Sequence, residues 1–276
     1  MTVSTQSAMH RAGSDNLKSL RRSAAVTAGS YLYEGGSLVT DWHSHDMHQI
    51  EYAVGGVVEV ETATTHYLLP PQQAVWIPAG LRHQATMSPR VRSIAVMFDP
   101  ELVQFHGERA AVLDVSPVIR EMIIYAQRWP VGRLTDDATA ERFFETLGGL
   151  VLDSIDSDEA LLSLPMSDHP VVHNAMAFTK ANLHDVTIGE VGRAVSVSDR
   201  SLRRLFDEHV GMSWRTYLLQ ARMLRAMALL ASPEQSVQET ARAVGFDNGS
   251  SFARAFSDFC GQSPSSYRHR SAIERS

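Results

Sequence analysis

Three histidines and a glutamine carry the first spacing with chemical content. His43 and His45 stand two apart in WHSHDMHQIEYAVGG, Gln49 follows four residues after His45, and His83 closes PPQQAVWIPAGLRH. Residues two or four apart on an extended strand point to the same face. A turn at Pro78-Ala79-Gly80 would bring a neighbouring strand, and His83 with it, back across that face. Two or three imidazoles converging inside a small barrel suit Zn²⁺, Fe²⁺, Ni²⁺ or Cu²⁺. A neutral amide is a poorer ligand for a divalent cation, so the same residues also describe histidines that hydrogen-bond inside a pocket or meet an organic effector. His48 has the opposite parity and is expected outside the cluster, and His66 is expected on a surface strand.

A second set of chemically able residues sits in an internal repeat. At a shift of 50 positions Ser201 meets Ser251, Leu202 meets Phe252, Arg204 meets Arg254 and Phe206 meets Phe256. Gly211, Ser213 and Tyr217 meet Gly261, Ser263 and Tyr267 in the same register. Each copy reads as helix, turn, helix. In the first, Ile188, Val191 and Val195 form an apolar stripe and VSVSD breaks it. Ser198 caps the next helix, Leu202, Leu205 and Phe206 face inward, and Gly211 ends it. In the second, Val237, Ala241 and Val244 precede a turn at Gly245 and Asp247-Asn248-Gly249, and Phe252, Phe256 and Phe259 face inward before Gly261.

Opposite the first inward stripe lie Arg200, Arg203 and Arg204, with Ser201 beside them. The guanidinium fork can read guanine edges or clamp phosphate. Asn248, Ser250, Ser251 and Arg254 take the matching positions of the second copy, short polar groups suited to phosphates or a few base edges. With one arginine there against three, the first copy is expected to discriminate sequence and the second to position the backbone. Asp207 and Glu208 would repel phosphate and should face away. Between the copies SWRTYLLQARMLRAMALLAS contains no Gly or Pro. About 19 helical residues make a rod of about 28 Å, comparable with the ~34 Å between successive major grooves.

These residues need elements to hold them. HQIEYAV, VVEVET, THYLL, AVWIP and RSIAVMF are short strand candidates punctuated by Gly and Pro, which suggests an antiparallel barrel or sandwich. From Pro117 the period becomes helical in SPVIREMIIYAQRW and DDATAERFFETLGGLVLDSI, with Asp136 and Asp137 suited to a helix start. This pair is a candidate for a dimer interface, for packing across the barrel mouth, or for a core-facing layer. The expected division is a mobile tail at 1–23, a barrel at 24–115, the helical pair at 116–158, a linker at 159–170 and a helical domain at 171–271. Its two helix-turn-helix units fall at about 188–210 and 237–260.

Composition agrees. The chain has 276 residues, 44% hydrophobic and 20% charged, enough for two globular domains. Its single cysteine, Cys260, excludes an internal disulfide framework and fits a reducing cytoplasm. No run of about 18 apolar residues predicts a membrane span, and the N-terminus lacks a secretory apolar core. The net charge of −6 is uneven: residues 1–169 carry −9 and residues 170–276 carry +3. That is the sign expected of an acidic sensing half joined to a DNA-binding half.

The run from SDRSLRRLFDEHVGMSWRTYLLQARMLRAMALLA to AVGFDNGSSFARAF and GQSPSSYR resembles the AraC/XylS DNA-binding domain over about a hundred residues. That resemblance places Arg200, Ser201, Arg203 and Arg204 where the first recognition helix meets bases, and Gly249, Ser250, Ser251 and Arg254 at the equivalent places in the second. Thr240-Ala241 stands where the family often has Ile-Ala, and Gly249 is small where a longer polar contact is common. Residues 30–98 resemble the cupin sensor domains of the same regulators, with HxH and PxGxxH as the two cupin motifs. Metal-binding cupins usually have Glu where this chain has Gln49.

The fold class implied is α+β: a cupin-like antiparallel β-barrel, then helices, then an all-α domain with two helix-turn-helix units on a long helix. The function implied is a cytoplasmic, sequence-specific transcription regulator. Double-stranded DNA and a small-molecule or metal effector are its partners, with a homodimer and RNA polymerase as further candidates. The competing class is a metal-dependent cupin isomerase or dioxygenase with an appended helical domain. A catalytic metal needs three firm protein ligands and open positions, and no nucleophile–base pair or phosphate-cradling glycine loop is present. A single-stranded nucleic-acid binder would need exposed aromatic platforms, whereas the Phe residues here fall on inward stripes.

Overall fold

The computed structural model describes residues 26–71, 73–88, 91–113, 115–135, 138–155, 163–231 and 235–273. The tail at 1–23, the helix start at Asp136-Asp137 and positions 159–162 of the expected linker lie outside the described residues. The chain divides into two compact units, Met1–Thr62 with Pro71–Ser157, and Ala63–Pro70 with Asp158–Ser276.

Among the described residues there are ten strands, β1 (Ala28–Gly35), β2 (Leu38–Val39), β3 (His48–Gly55), β4 (Val58–Thr62), β5 (Thr65–Leu69), β6 (Ala74–Ile77), β7 (His83–Met87), β8 (Val91–Phe98), β9 (Ala111–Leu113) and β10 (Ser163–Pro165). The first sheet runs β1-β8-β3-β6-β9, antiparallel throughout, and belongs to the first unit. Also in the first unit β7 pairs antiparallel with β4 and with β2, and in the second unit β5 pairs antiparallel with β10.

Strand alternation assigns the two faces of the first sheet. Ile50 and Tyr52 of β3, Trp76 of β6, and Ile94, Val96 and Phe98 of β8 are buried in one core with two helices. These are α1 (Pro117–Tyr125), continued by a 3₁₀ turn at Ala126–Arg128, and α2 (Ala138–Asp153). Ile119 and Ile123 of α1 and Phe144, Leu147 and Val151 of α2 complete that core. Val118, Ile124 and Tyr125 of α1 and Leu150 of α2 are exposed, so only one face of the helical pair enters that core. The intervening residues, Gln49 and Glu51 of β3 and Ala95 and Met97 of β8, turn to the other face and line a cavity.

The second unit holds seven helices among its described residues: α3 (Pro170–Ala181), α4 (Ile188–Ala194), α5 (Asp199–Val210), α6 (Trp214–Leu230), α7 (Val237–Ala243), α8 (Gly249–Cys260) and α9 (Pro264–Ile273). Reciprocal capping boxes, Thr187 with Glu190 and Ser236 with Glu239, start α4 and α7. Left-handed glycines, Gly211 and Gly261, both with φ 71°, end α5 and α8. The central rod α6 has 17 residues, shorter than the sequence suggested, and is about 25 Å long. Its Trp214 indole donates to Thr179 Oγ1 of α3 at 3.0 Å, and Gln220 Nε2 donates to the Ser163 carbonyl of β10 at 3.1 Å.

Two expectations need correction. His66 is not a surface residue: it is 3% exposed on β5, with Lys180 Nζ of α3 3.4 Å from its Nδ1. Part of the expected linker is ordered, Ser163–Pro165 forming β10 and Pro170 opening α3.

Thr240 of α7, the residue standing where the family often has isoleucine, is fully buried and its hydroxyl has no hydrogen-bond partner. Thr240→Val keeps the branched shape and removes the orphaned hydroxyl. Urea unfolding of this variant should show a gain of about 1 kcal/mol, and an unchanged or lower stability would contradict the orphaned-hydroxyl account.

Candidate nucleic-acid interface and sensing pocket

The cavity on the open face of the first sheet has a volume of about 600 Å³. Leu38, Ala85, Met87, Met97 and Val131 supply apolar wall, and Tyr31, Tyr33, Glu51, Arg133 and the histidines supply polar groups. His43 and His83 meet through a pair of backbone hydrogen bonds, His43 N to His83 O at 2.9 Å and His83 N to His43 O at 2.8 Å. The turn before His83 is held by Gly80, at φ 80°, whose N–H donates to His45 O at 2.8 Å.

Each ring of the cluster is oriented by the backbone. Nδ1 of His43 lies 2.7 Å from Asp41 O, Nδ1 of His45 2.7 Å from Met47 O, and Nδ1 of His83 2.9 Å from Leu81 O. A carbonyl oxygen only accepts, so each Nδ1 must carry the hydrogen and each Nε2 is left with a lone pair. One ligand atom from each of the three rings lies within 4.8 Å of the other two. His45 and His83 are each 1% exposed, and burial opposes their protonation. Burial first, then His43 and His45, push His83 down to about 3.

Gln49 joins the cluster through Oε1, 2.7 Å from His45 Nε2, while its Nε2 donates to Glu51 Oε2 at 2.8 Å. With His45 Nδ1–H bound to Met47, the contact is satisfied either by a turned Gln49 amide, whose nitrogen donates to the ring and whose oxygen accepts from protonated Glu51, or by a cation held to one side of both atoms. The donor set, three imidazole nitrogens and an amide oxygen, therefore fits a divalent metal of the Zn²⁺, Fe²⁺, Ni²⁺ or Cu²⁺ kind, and the Nδ1–carbonyl bonds are the outer contacts such ligands use. Glu51, 2% exposed, is the residue the sequence reading missed. Burial pushes it up to about 7 against hydrogen bonding from Ser93 and Gln49. Its signal was the parity shared with Gln49, two residues away on β3. His48, of the other parity, lies apart, stacked on Trp76 at 5.1 Å and accepting from Ala79 N–H.

In the second unit, Leu202, Leu205 and Phe206 of α5 are buried, while Arg200, Arg203 and Arg204 are exposed. Ser201 is half-buried: its N–H donates to the capping Ser198 Oγ at 3.2 Å, and the two hydroxyls lie 3.0 Å apart. Arg204 Nη1 donates to the Glu208 carboxylate at 2.9 Å. Helical spacing likewise brings Asp207, exposed, beside Arg203. On α8, Gly249, Ser250, Ser251 and Arg254 are exposed and Phe252 and Phe256 are buried, with Phe259 only half-buried. Asn248 is the N-cap, its Oδ1 accepting from Ser250 N at 2.8 Å and Ser251 N at 3.3 Å. It corresponds to Ser198, which the repeat itself could have signalled. Arg254 and Asp258 repeat the Arg204–Glu208 pairing at 3.9 Å.

Two helix-turn-helix units on one rod, together with a sheet unit enclosing a cavity, define a two-domain transcription regulator. The AraC-like ligand binding domain family matches residues 28–165, and the helix-turn-helix domain family matches residues 191–270. The HTH-type transcriptional regulator NimR of Escherichia coli (strain K12) is 25% identical over 261 residues, covering 94% of this chain and 93% of that protein. The HTH-type transcriptional activator RhaR of Pectobacterium atrosepticum is 42% identical over 73 residues, 26% of each chain. A solved AraC-type regulator from Chromobacterium violaceum is 28% identical with a TM-score of 0.36, covering 37% of this chain and 93% of that one. The chain belongs to the AraC family and is an effector-responsive, DNA-binding regulator of transcription. These relatives are named as regulators, not enzymes. Among the described residues no helix is long and apolar enough to cross a membrane.

The Arg204–Glu208 pair is 69% and 54% exposed, so breaking it should leave stability within about 0.5 kcal/mol. Glu208→Gln frees the guanidinium and removes a charge that repels phosphate. Duplex affinity at low salt should rise a few-fold, with the salt slope steeper by up to about 1. Unchanged affinity and slope would place this end of α5 away from DNA.

Proposed function

We propose that α5 reads base edges with Arg200, Arg203 and Arg204, aided by Ser201, while α8 engages the backbone and a few bases with Gly249, Ser250, Ser251 and Arg254. Asn248 contributes by starting α8, with its amide hydrogens still free to donate. The observation that carries this reading is the exposed arginine face of α5 opposite buried Leu202, Leu205 and Phe206. Two such chains act as a homodimer on one operator, with RNA polymerase as the further partner, and the protein performs no catalysis. Selection of bound duplexes from random DNA tests the assignment. Arg203→Ala and Arg204→Ala should each lose about tenfold or more discrimination at one base position, and sedimentation should give two chains per selected operator. Equal losses on every sequence would remove base reading from these arginines.

In the first unit His43, His45, His83 and Gln49 hold a divalent metal, and the adjoining cavity admits an organic effector. The support is three rings oriented by Nδ1–carbonyl bonds, each offering a ligand atom within 4.8 Å of the other two. A bound metal would supply positive charge and a coordination site facing the cavity. Purified from metal-replete cells, the protein should contain about one metal per chain. His83→Ala should lose most of it while the isolated chain stays folded by circular dichroism. A wild-type protein without metal would leave the pocket to an organic effector alone.

A further inference from the structure

The two helix-turn-helix turns are alike in backbone but differ in one residue, and the difference points to how the units are held together. The first helices of the two units start 49 positions apart and the reading helices 50 apart, so the second turn is one residue longer. In both turns a residue with positive φ follows the first helix, Ser196 at 57° and Gly245 at 81°. In both, the next N–H returns to the first helix, Val197 N to Gly192 O and Phe246 N to Ala241 O, each at 2.9 Å. Since serine occupies this conformation in the first turn, conformation alone does not demand glycine in the second. Close approach does: a Cβ on Gly245 would lie 2.0 Å from His184 O and 2.6 Å from Arg222 Nη2.

His184 belongs to the loop between α3 and α4, ahead of the first unit, whereas Gly245 and Phe246 belong to the turn of the second. Arg222 of the rod α6 sits between them. Its Nε donates to Leu183 O at 2.8 Å, its Nη2 donates to His184 O at 3.2 Å, and its guanidinium carbon lies 5.9 Å from the centre of the Phe246 ring. One side chain thus ties the rod, the first unit's entry loop and the second unit's turn. Such a joint removes the hinge freedom that a single connecting helix would leave, and two linked sites gain from linkage only in so far as their geometry is fixed.

We propose that Arg222 is a positioning residue which, with Gly245 packed beneath it, locks the two reading helices at one separation and phase, so that the chain accepts a two-part DNA site of one spacing only. The inference rests on the two-helix reading above. The probes are the duplexes selected by the wild-type protein, the same duplexes with one base pair inserted between the two halves, and versions with either half scrambled. Arg222→Met keeps the aliphatic stem and loses the hydrogen bonds, Arg222→Lys is the milder variant, and Gly245→Ala loads the joint from the other side.

The wild-type protein should lose about tenfold or more affinity on the one-base-pair insertion. Folded Arg222→Met should bind the parent duplex correspondingly more weakly, bind half-scrambled duplexes as the wild type does, and show a parent-to-insertion ratio near one. Arg222→Lys should fall between. Should Gly245→Ala or Arg222→Met fail to fold, the Arg222→Lys ratio alone decides. A variant that is folded and keeps the wild-type ratio overturns the joint. A wild-type protein indifferent to scrambling either half overturns the two-helix reading, and the joint with it.

Discussion

The left-handed turn between the two helices of each unit is the constraint on which DNA reading depends. It reverses the chain tightly enough for the second helix to lay Leu202, Leu205 and Phe206, or Phe252 and Phe256, into the core. With that side committed, helical geometry leaves Arg200, Arg203 and Arg204, or Arg254, outside. A φ above zero disfavours most side chains. The first copy meets the requirement with a short polar residue, Ser196, and the second with glycine. The turn therefore fixes the outward face before any charge is considered.

Charge on that face is then restrained rather than maximised. The N-terminal amides of the reading helices, which could bind phosphate, are partly occupied by Ser198 and Asn248. Arg204 and Arg254 each have a carboxylate one turn on, Glu208 and Asp258. Sequence-independent attraction to DNA grows with each phosphate neutralised, and pairing two of these exposed cations with carboxylates lowers the net positive charge that α5 and α8 present. A net charge of only +3 over residues 170–276 is consistent with such restraint.

The α+β class was legible because its signals are long or repeated. Strand candidates such as THYLL and AVWIP coincide with β5 and β6 because β-branched and aromatic runs bounded by turns have few other uses. What escaped was short or tertiary. β2, β9 and β10 have two or three residues each, too few for a period. His66 was misjudged because its burial comes from helical residues more than a hundred positions away, Lys180 among them. The capping role of Asn248 follows from the repeat only when Ser198's role is carried across with it, since the two stand 50 positions apart at the starts of α8 and α5. The Arg204–Glu208 pair is set by helical i, i+4 spacing, which a reading of charge against phosphate alone does not bring out.

Glu51 escaped for a more instructive reason, because its link to the histidines runs through Gln49. A carboxylate at position 49 would stand two residues from the buried Glu51 on the same face of β3, and two neighbouring buried carboxylates cannot both ionise readily. The amide resolves this by dividing the work: its oxygen faces the histidines, and its nitrogen donates to Glu51. The Glu51 carboxyl behind that nitrogen, pushed up to about 7 by burial, is a group that titrates near neutral pH rather than a fixed negative charge, and either form can accept from the amide.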